Sequence, residues 1–192
     1  MPLPFDLRVL GQPSGLVTDG DSLRLGAGPS TDWFCDPAGG SVTANAPALV
    51  GAVDGDFVLA ARVSVEFAST YDAGSLVVYR DETTWGKLAF ERSPDGDPMV
   101  VSVVTRGTSD DCNSTVVEGG NVWLRIARIG DAFAFHSSLD GSRWEFVRYF
   151  ALGAPSIEVG FEAQSPLGEG CRATFHEVRF EARTLANLRD GT

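Results

Sequence analysis

Residues 85–105 read WGKLAFERSPDGDPMVVSVVT, two strand-like runs joined by a turn. In the first run Leu88 and Phe90 share one face, and Lys87 and Glu91 share the other. A period of two residues is typical of a β-strand with one face in a core. Between the runs lies Pro94-Asp-Gly-Asp97, a combination that favours a turn. The stretch therefore predicts a β-hairpin.

The same two-residue period recurs through most of the chain. Between Phe175 and Val178 the apolar phase slips, which predicts a β-bulge. Segments 32–40 and 108–120 are interpreted as loops, and Thr184–Arg189 is the one short helix expected. We predict strands at Leu23–Leu25, Ser41–Asn45, Phe57–Phe67, Ser75–Arg80, Trp85–Glu91, Met99–Thr105, Val122–Ala127, Phe133–Ser138, Arg143–Phe150, Ile157–Gln164 and Arg172–Glu181.

About a dozen strands of this kind predict an all-β fold. More than about ten strands seldom remain in one open sheet, so we expect a two-sheet antiparallel β-sandwich with jelly-roll connections. The 192 residues contain no internal repeat, low-complexity tract or linker. Residues 1–192 are therefore predicted to form a single domain.

Charge and composition restrict the partners that the protein can have. The formal net charge is −11, and phosphate contacts need a basic face, so we expect neither nucleic acid nor an anionic membrane as a partner. The sequence begins MPLPFD, without the basic start or apolar run of a signal peptide. Cys35, Cys112 and Cys171 form no Cys-x-x-Cys pair. These features predict a cytoplasmic protein with reduced thiols.

No cofactor is expected. Three Asp-Gly-Asp triplets, at 19–21, 54–56 and 95–97, offer oxygen ligands that Ca²⁺ could use. None completes an EF-hand loop, and Asp-Gly is mainly a turn signal. Bound Ca²⁺ is therefore kept only as the alternative.

Polar and aromatic side chains alternate with the predicted core positions and suggest a binding groove. If Leu88 and Phe90 enter the core, Trp85 and its polar neighbours project outward, and the same holds on two further strands. Should these strands be neighbours, they would form a lectin-like groove for a carbohydrate or small polar metabolite. The alternative is a hydrated sheet face with cross-strand ion pairs. The candidate ligand-binding residues are Tyr71, Asp72, Trp85, Lys87, Glu91, Arg106, Trp123, Arg125, Glu162 and Gln164.

The sequence offers less support for catalysis. Glu91 with Glu162 or Asp72 could form the carboxylate pair of a glycoside-cleaving enzyme. However, the Glu-x-Asp-x-x-Glu strand signature of sandwich-fold glucanases and the Gly-x-Ser-x-Gly elbow are both absent. We therefore predict a non-catalytic module and assign no catalytic residue, with a glycoside-active enzyme as the less favoured alternative.

Several spaced motifs carry a family resemblance. They are Tyr71-Asp72, Asp81-x-x-x-Trp85-x-Lys87-x-x-x-Glu91, Ser102-Val-Val-Thr-Arg106-Gly-x-Ser-Asp110, Trp123-Leu-Arg125, Ser138-Leu-Asp-Gly-x-x-Trp144 and Gly160-x-x-Ala-Gln-Ser-Pro166. From about Asp32 to Phe180 the chain resembles the DUF1349 family, which implies a concanavalin A-like lectin/glucanase fold. Members of that superfamily often bind glycans on the concave sheet, so the resemblance also supports the groove.

The resemblance also offers a second function and has two departures. A yeast member is named for the regulation of enolase, which implies as an alternative a protein-interaction module that regulates a metabolic enzyme. The usual Tyr-Asp-Gln-Ala-Gly-Leu reads Tyr71-Asp-Ala-Gly-Ser-Leu76 in this chain. Asp111 stands where a tryptophan usually follows Ser-Asp. Any ligand contact that depends on that glutamine or tryptophan is not expected here.

Overall fold

The computed structural model describes residues 3–153 and 156–192, and this part of the chain forms strands, turns and loops without a helix. Accordingly, none of the described segments is a helix that could cross a membrane. The strands are β1 (Arg8–Leu10), β2 (Gly15–Asp19), β3 (Ser22–Ala27), β4 (Trp33–Cys35), β5 (Val42–Ala44), β6 (Ala48–Ala52), β7 (Phe57–Val65), β8 (Ala73–Asp81), β9 (Thr84–Arg92), β10 (Pro98–Arg106), β11 (Thr108–Val116), β12 (Asn121–Ile129), β13 (Ala132–Ser138), β14 (Glu145–Ala151), β15 (Glu158–Gln164) and β16 (Cys171–Glu181).

The strands form two large antiparallel sheets. The first sheet has the order β1-β6-β15-β8-β9-β10-β11, and the second has the order β14-β13-β12-β7-β16-β3-β2. Strands β4 and β5 pair only with each other, as a separate two-stranded hairpin. The two packed seven-stranded sheets confirm the predicted all-β sandwich of jelly-roll type.

The main hydrophobic core lies between the two sheets. Leu88 and Phe90 of β9 enter it as predicted, and they meet apolar side chains of the second sheet such as Phe135 and Phe175. All four residues are fully buried. Burial of an aromatic or leucine side chain contributes about 1.5–3 kcal/mol to folding, so this layer is the main source of stability.

The predicted turn between β9 and β10 and the predicted bulge are both present. The turns at 94–97, 130–131 and 140–141 connect β9 to β10, β12 to β13 and β13 to β14. Pairing of β16 with β7 shifts register between His176 and Arg179. Glu177, inside this bulge, has a φ of 51°.

The prediction of a helix at Thr184–Arg189 is wrong. This segment is irregular up to Asn187 and enters a turn at Leu188, and Leu185 packs against Val58 and Ala127 on the outside of the second sheet. Six residues supply too few hydrogen bonds to offset the entropy of helix nucleation. Packing of Leu185 therefore decides the local conformation.

Candidate ligand-binding pocket

The register of the first sheet gathers polar side chains on its outer face, the face turned away from the core. One row across the sheet carries Lys87 of β9 and Asp111 of β11, separated by Val103 of β10. A nearby row carries Glu91 of β9 and Gln164 of β15, separated by one residue of β8. Side chains separated by an even number of residues along a strand share a face, so both rows lie on the outer face, with the row of Ala89 between them.

The β4–β5 hairpin lies over part of this outer face. The Trp33 ring packs against the rings of Tyr79 and Trp85, with centroid distances of 5.3 and 5.8 Å. The backbone N–H of Cys35 donates a hydrogen bond of 2.9 Å to the hydroxyl of Ser109 on β11. These contacts form a second apolar cluster outside the main core, and they bring the segment around Asp32 and Phe34 to the polar rows.

The hairpin and the sheet together enclose a pocket of about 250 Å³. Its wall combines carboxyl groups, one ammonium group, one amide and two aromatic rings. The lining residues are Asp32, Phe34, Tyr71, Lys87, Glu91, Val103, Asp111 and Gln164.

Lys87 is the only lysine of the 192 residues, and it is 2% exposed. Its Nζ donates hydrogen bonds to Asp32 Oδ1 (3.2 Å), the Trp33 carbonyl oxygen (2.8 Å) and Gln164 Oε1 (2.6 Å). Burial is the largest influence on its pKa and lowers it, but the carboxyl groups around it outweigh burial and raise the pKa above 10.5. Lys87 is therefore a permanent cation at the base of the pocket.

Glu91 is the least satisfied polar side chain of the wall. It is 9% exposed and lines the pocket, and its carboxyl group has no hydrogen bond or ion pair within the described ranges 3–153 and 156–192. Burial raises its pKa to about 8 against the opposing attraction of Lys87, and the nearby Asp111 carboxylate raises it further. At neutral pH this group is largely a neutral acid with its polar atoms directed at the cavity.

Glu162 lies behind the wall and is not in contact with the pocket space. It is fully buried, opposite Ser75 on β8, and burial raises its pKa to about 7 against the attraction of Lys87. The Ser75 hydroxyl favours the charged form, but neither carboxyl oxygen meets hydrogen-bond geometry with any described residue. Glu162 thus adds negative charge behind Lys87 without being able to touch a ligand.

Tyr71 and Gln164 close one side of the pocket. The Gln164 Nε2 donates a hydrogen bond of 3.1 Å to the Tyr71 carbonyl oxygen. Tyr71 has a φ of 66°, a left-handed conformation that is unusual for an aromatic residue. Its backbone N–H donates to the Arg92 carbonyl oxygen at 2.8 Å. The backbone is thereby held so that the Tyr71 ring, 37% exposed, borders the cavity.

Some of the predicted groove residues are placed elsewhere in the first sheet. Trp85 lies on the predicted face but is fully buried under Trp33, so its ring offers no surface to a ligand. The Asp72 carboxylate accepts hydrogen bonds from the N–H groups of Ala68 and Ser69 and from the Ser165 hydroxyl. Asp72 therefore fixes a loop conformation and does not line the pocket.

The expectation that Trp123 and Arg125 share a face with Lys87 is wrong. Both residues lie on β12, which belongs to the second sheet. Arg125 stacks on the Trp144 ring at 4.1 Å, and Trp123 stacks under Arg179 at 4.6 Å. These pairs cover the outer face of that sheet, across the core from the pocket.

Arg106 also lies away from the pocket. It is the last residue of β10, is exposed, and donates a hydrogen bond of 2.9 Å to the carbonyl oxygen of Ala151. Its guanidinium group joins the edge of the first sheet to β14 of the second. The predicted residues that do line the pocket are Tyr71, Lys87, Glu91 and Gln164.

Four wall residues were missed by the sequence interpretation. Val103 and Asp111 follow from the β10–β11 hairpin, because its turn at Gly107 (φ 82°) pairs Val103 with Asp111. Gly107, between two runs of residues that can form strands, was the sequence signal for this hairpin turn. Asp32 and Phe34 come from a hairpin that crosses the sheet, and no local pattern predicts such a crossing.

The structure shows no evident metal centre. Within residues 3–153 and 156–192, no group of three or more His, Cys, Asp or Glu side chains is arranged to hold a metal ion.

Comparison with known proteins gives a family and a fold. The pattern of a family described as "Protein of unknown function (DUF1349)" matches residues 10–183. A functionally unknown protein from Saccharomyces cerevisiae has a similar structure, with 25% identity and a TM-score of 0.85 over 93% of this chain and 97% of the yeast chain. No curated protein sequence matches the chain.

Larger proteins contain a similar sandwich. The GH43 protein BlXynB from Bacillus licheniformis matches with 16% identity and a TM-score of 0.71, over 84% of this chain and 33% of that chain. A xylan β-1,4-xylosidase from Bacillus halodurans matches with 16% identity and a TM-score of 0.69, over 83% and 32%. The chain thus spans about a third of the length of these two proteins, and the similarity shows a common fold.

Proposed function

The chain belongs to the DUF1349 family, and we propose that it is a non-catalytic module that binds a small polar ligand, with a carbohydrate as the ligand class. The pocket is the proposed binding site. The observation that carries the proposal is the Glu91 side chain, which is nine-tenths buried, lines the pocket and has no hydrogen-bond partner among the described residues. A buried polar group costs free energy unless it is hydrogen-bonded, and a bound ligand would supply the hydrogen bond that the Glu91 carboxyl group needs.

The other wall groups suit a sugar. Phe34 and Tyr71 supply aromatic surface for the C–H patches of a sugar ring. Asp111 and Glu91 supply oxygen atoms for its hydroxyl groups. A volume of about 250 Å³ is just below the usual range for drug-sized ligands, which favours a ligand of one ring. The similarity to GH43 proteins concerns the fold alone and adds no weight to the ligand class.

The positions of Glu162 and Asp72 argue against the two catalytic carboxylate pairs that the sequence suggested. Glu162 is sealed behind the wall, and Asp72 is held by three hydrogen bonds. Neither can therefore act with Glu91 as the carboxylate pair of a glycosidase, which needs both groups beside the scissile bond. Steady hydrolysis of aryl-glycosides by the purified protein would contradict this part of the proposal.

We place the module in the cytoplasm. All three cysteines are free, with Cys35 buried, Cys112 exposed and Cys171 half-buried. Free thiols are typical of a reducing compartment. Fluorescence microscopy of the tagged protein in its own cells tests this placement.

Calorimetric titration with monosaccharides at neutral pH tests the binding proposal. We expect at least one sugar to give a saturable signal, with Tyr71→Ala weakening the affinity by about tenfold or more because the stacking surface is lost. Tyr149→Ala is the matched control, since Tyr149 is also exposed but lies on β14 of the second sheet. Melting curves confirm that both variants fold.

The results that would overturn the proposal are specific. A panel of hexoses, pentoses and amino sugars without any binding would remove the carbohydrate ligand. Binding that Tyr71→Ala and Tyr149→Ala weaken equally would move the site away from the pocket.

A further inference from the structure

The pocket has more carboxyl groups than cations. Its wall contains the carboxyl groups of Asp32, Glu91 and Asp111 and a single cation, Lys87. Glu162 stands behind the wall with neither oxygen hydrogen-bonded to a described residue. A sugar phosphate or another anionic ligand would meet more carboxyl groups than cations, and the ionised ones among them would repel it.

Lys87 has no capacity left for Glu91 or for a ligand. An ammonium group has three N–H donors, and those of Lys87 are taken by Asp32, the Trp33 carbonyl and Gln164. The ion pair that the structure shows for Lys87 is with Asp32. Glu91 and Asp111 are therefore carboxyl groups without a hydrogen-bonded cation in the pocket.

Glu91 and Asp111 lie at different depths in the pocket. Glu91 is buried in the wall, while Asp111 is exposed on β11 at the edge of the cavity. β10 separates their strands, and both side chains line the cavity. A cation there would have one carboxyl group below it and one at the mouth.

We infer that the ligand of the pocket carries a protonated primary amine, which binds between the carboxyl groups of Glu91 and Asp111. This inference rests on the proposed function and specifies its ligand class as an amino sugar. Hydrogen bonds between an ammonium group and carboxylates are shorter and stronger than those of a neutral hydroxyl. The amine also brings a hydrogen-bonding positive charge to both acids, which no hydroxyl group can do.

The ionisation of Glu91 agrees with this geometry. The groups that face Glu91 are Lys87 on its own strand, Asp111 on β11, Asp32 beside the hairpin and Glu162 on β15. Burial, and then Asp111 among the carboxylates, raises the pKa of Glu91 to about 8 against Lys87. A bound ammonium group would favour the charged form, so amine binding at pH 7 is accompanied by proton release from Glu91.

The test compares matched pairs of sugars by calorimetric titration at pH 7. The pairs are D-glucosamine with D-glucose and D-galactosamine with D-galactose, and 1,4-diaminobutane and CaCl₂ are titrated separately. We expect the amino sugar of at least one pair to bind about tenfold or more tightly than its neutral parent. Glu91→Gln and Asp111→Asn should each remove this preference, while Asp95→Asn, in the exposed β9–β10 turn, should leave it unchanged.

Each other outcome has a distinct meaning. Equal binding of the amino and neutral sugars overturns the inference and leaves the proposed function standing. Binding of diaminobutane alone supports the amine site and overturns the carbohydrate assignment. Binding of Ca²⁺ that depends on Glu91 makes the cation a metal and overturns the inference. Absence of binding by every compound overturns both. The melting temperature of Glu91→Gln, measured alongside, shows whether that variant is folded.

Discussion

At the scale of single residues, Lys87 determines how the outer face of the first sheet is built. It is buried at 2% exposure and joins three separate parts of the chain through Asp32, the Trp33 carbonyl and Gln164. Removing one partner of a buried charged network leaves the remaining charges without compensation. Lys87 thus supports the pocket as a structural residue and does not act as a free contact for the ligand.

Lys87→Met is expected to lower the free energy of unfolding by about 3 kcal/mol, because the carboxyl groups around it would lose their only buried cation. Urea unfolding at pH 7 measures this change. Arg143→Met is the control, since the Arg143 side chain is 84% exposed in its ion pair with Glu145 and such pairs contribute about 0–1 kcal/mol. Equal losses for the two variants would show that the Lys87 network adds nothing.

Glu162 should make the protein less stable as the pH rises. Burial raises its pKa to about 7 from an ordinary value of 4.5, so between these values the folded chain keeps a proton that the unfolded chain has lost. The contribution of the Glu162 proton to the free energy of unfolding is therefore fully present below about pH 4.5, and it is lost as the pH rises to about 7. Glu162→Gln removes this titration, and its stability relative to the parent should be on the order of 2 kcal/mol more favourable at pH 8 than at pH 5.

Unfolding curves of the parent and Glu162→Gln at both pH values give the measurement. Glu66→Gln, a change at an exposed carboxylate that pairs with Arg172, should show no comparable difference between the two pH values. If the free energy of unfolding of Glu162→Gln differs from that of the parent by the same amount at both pH values, the raised pKa of Glu162 is contradicted.

At the scale of elements, the β4–β5 hairpin converts an outer sheet face into a pocket wall. Trp33 is 3% exposed, packs on Tyr79 and Trp85, and donates from Nε1 to the Ala46 carbonyl oxygen at 3.1 Å. The hairpin has only three residues in each strand. The position of the hairpin therefore depends more on the packing of Trp33 than on the backbone hydrogen bonds between β4 and β5.

Trp33→Ala is expected to cost about 3–5 kcal/mol of stability, as buried large-to-small substitutions do. It should also weaken ligand binding, because Asp32 and Phe34 are held at the pocket through the same hairpin. Trp144→Ala, which removes the ring under Arg125 on the second sheet, should leave binding unchanged. Retained affinity in Trp33→Ala would show that the hairpin does not shape the site.

Strands were predictable from sequence where one face was apolar, as in β7, β9 and β12. β11 was not, because eight of its nine residues are exposed on the edge of the sheet and polar residues occupy both faces. The burial of Trp85 was also missed, since alternation assigns a residue to a face and cannot reveal that a distant hairpin covers that face. The run at 99–104, apolar at all positions but Ser102, was an available sign of a strand buried on both faces.

At the scale of the whole molecule, the assignment of strands to the two sheets could not be predicted from the sequence. Residues 85–91 and 122–127 carry the same pattern of alternating polar and apolar residues, yet they lie in opposite sheets. β15 pairs between β6 and β8 although about eighty residues separate it from β8. Such long-range pairing depends on the packing of the complete sandwich, so sequence periodicity predicts the class of fold and leaves the strand order open.

The net charge of −11 should make the whole molecule sensitive to ionic strength. Repulsion among the excess carboxylates destabilises the compact state, and salt screens it over about 10 Å at 0.1 M. We expect the melting temperature at pH 7.5 to rise by a few degrees between about 10 mM and 300 mM NaCl. Choline chloride should act equally; a rise with NaCl alone would indicate bound Na⁺ instead of screening.

The burial of Lys87 has a consequence for covalent chemistry. Because it is the only lysine of the 192 residues and is 2% exposed, the folded protein presents no lysine side chain to acylating reagents or to enzymes that modify ε-amino groups. Its high pKa also keeps the amine protonated and so non-nucleophilic. Modification at this position therefore requires the β4–β5 hairpin to lift or the sandwich to unfold, and a single acylated lysine would record either event permanently in the mass of the chain.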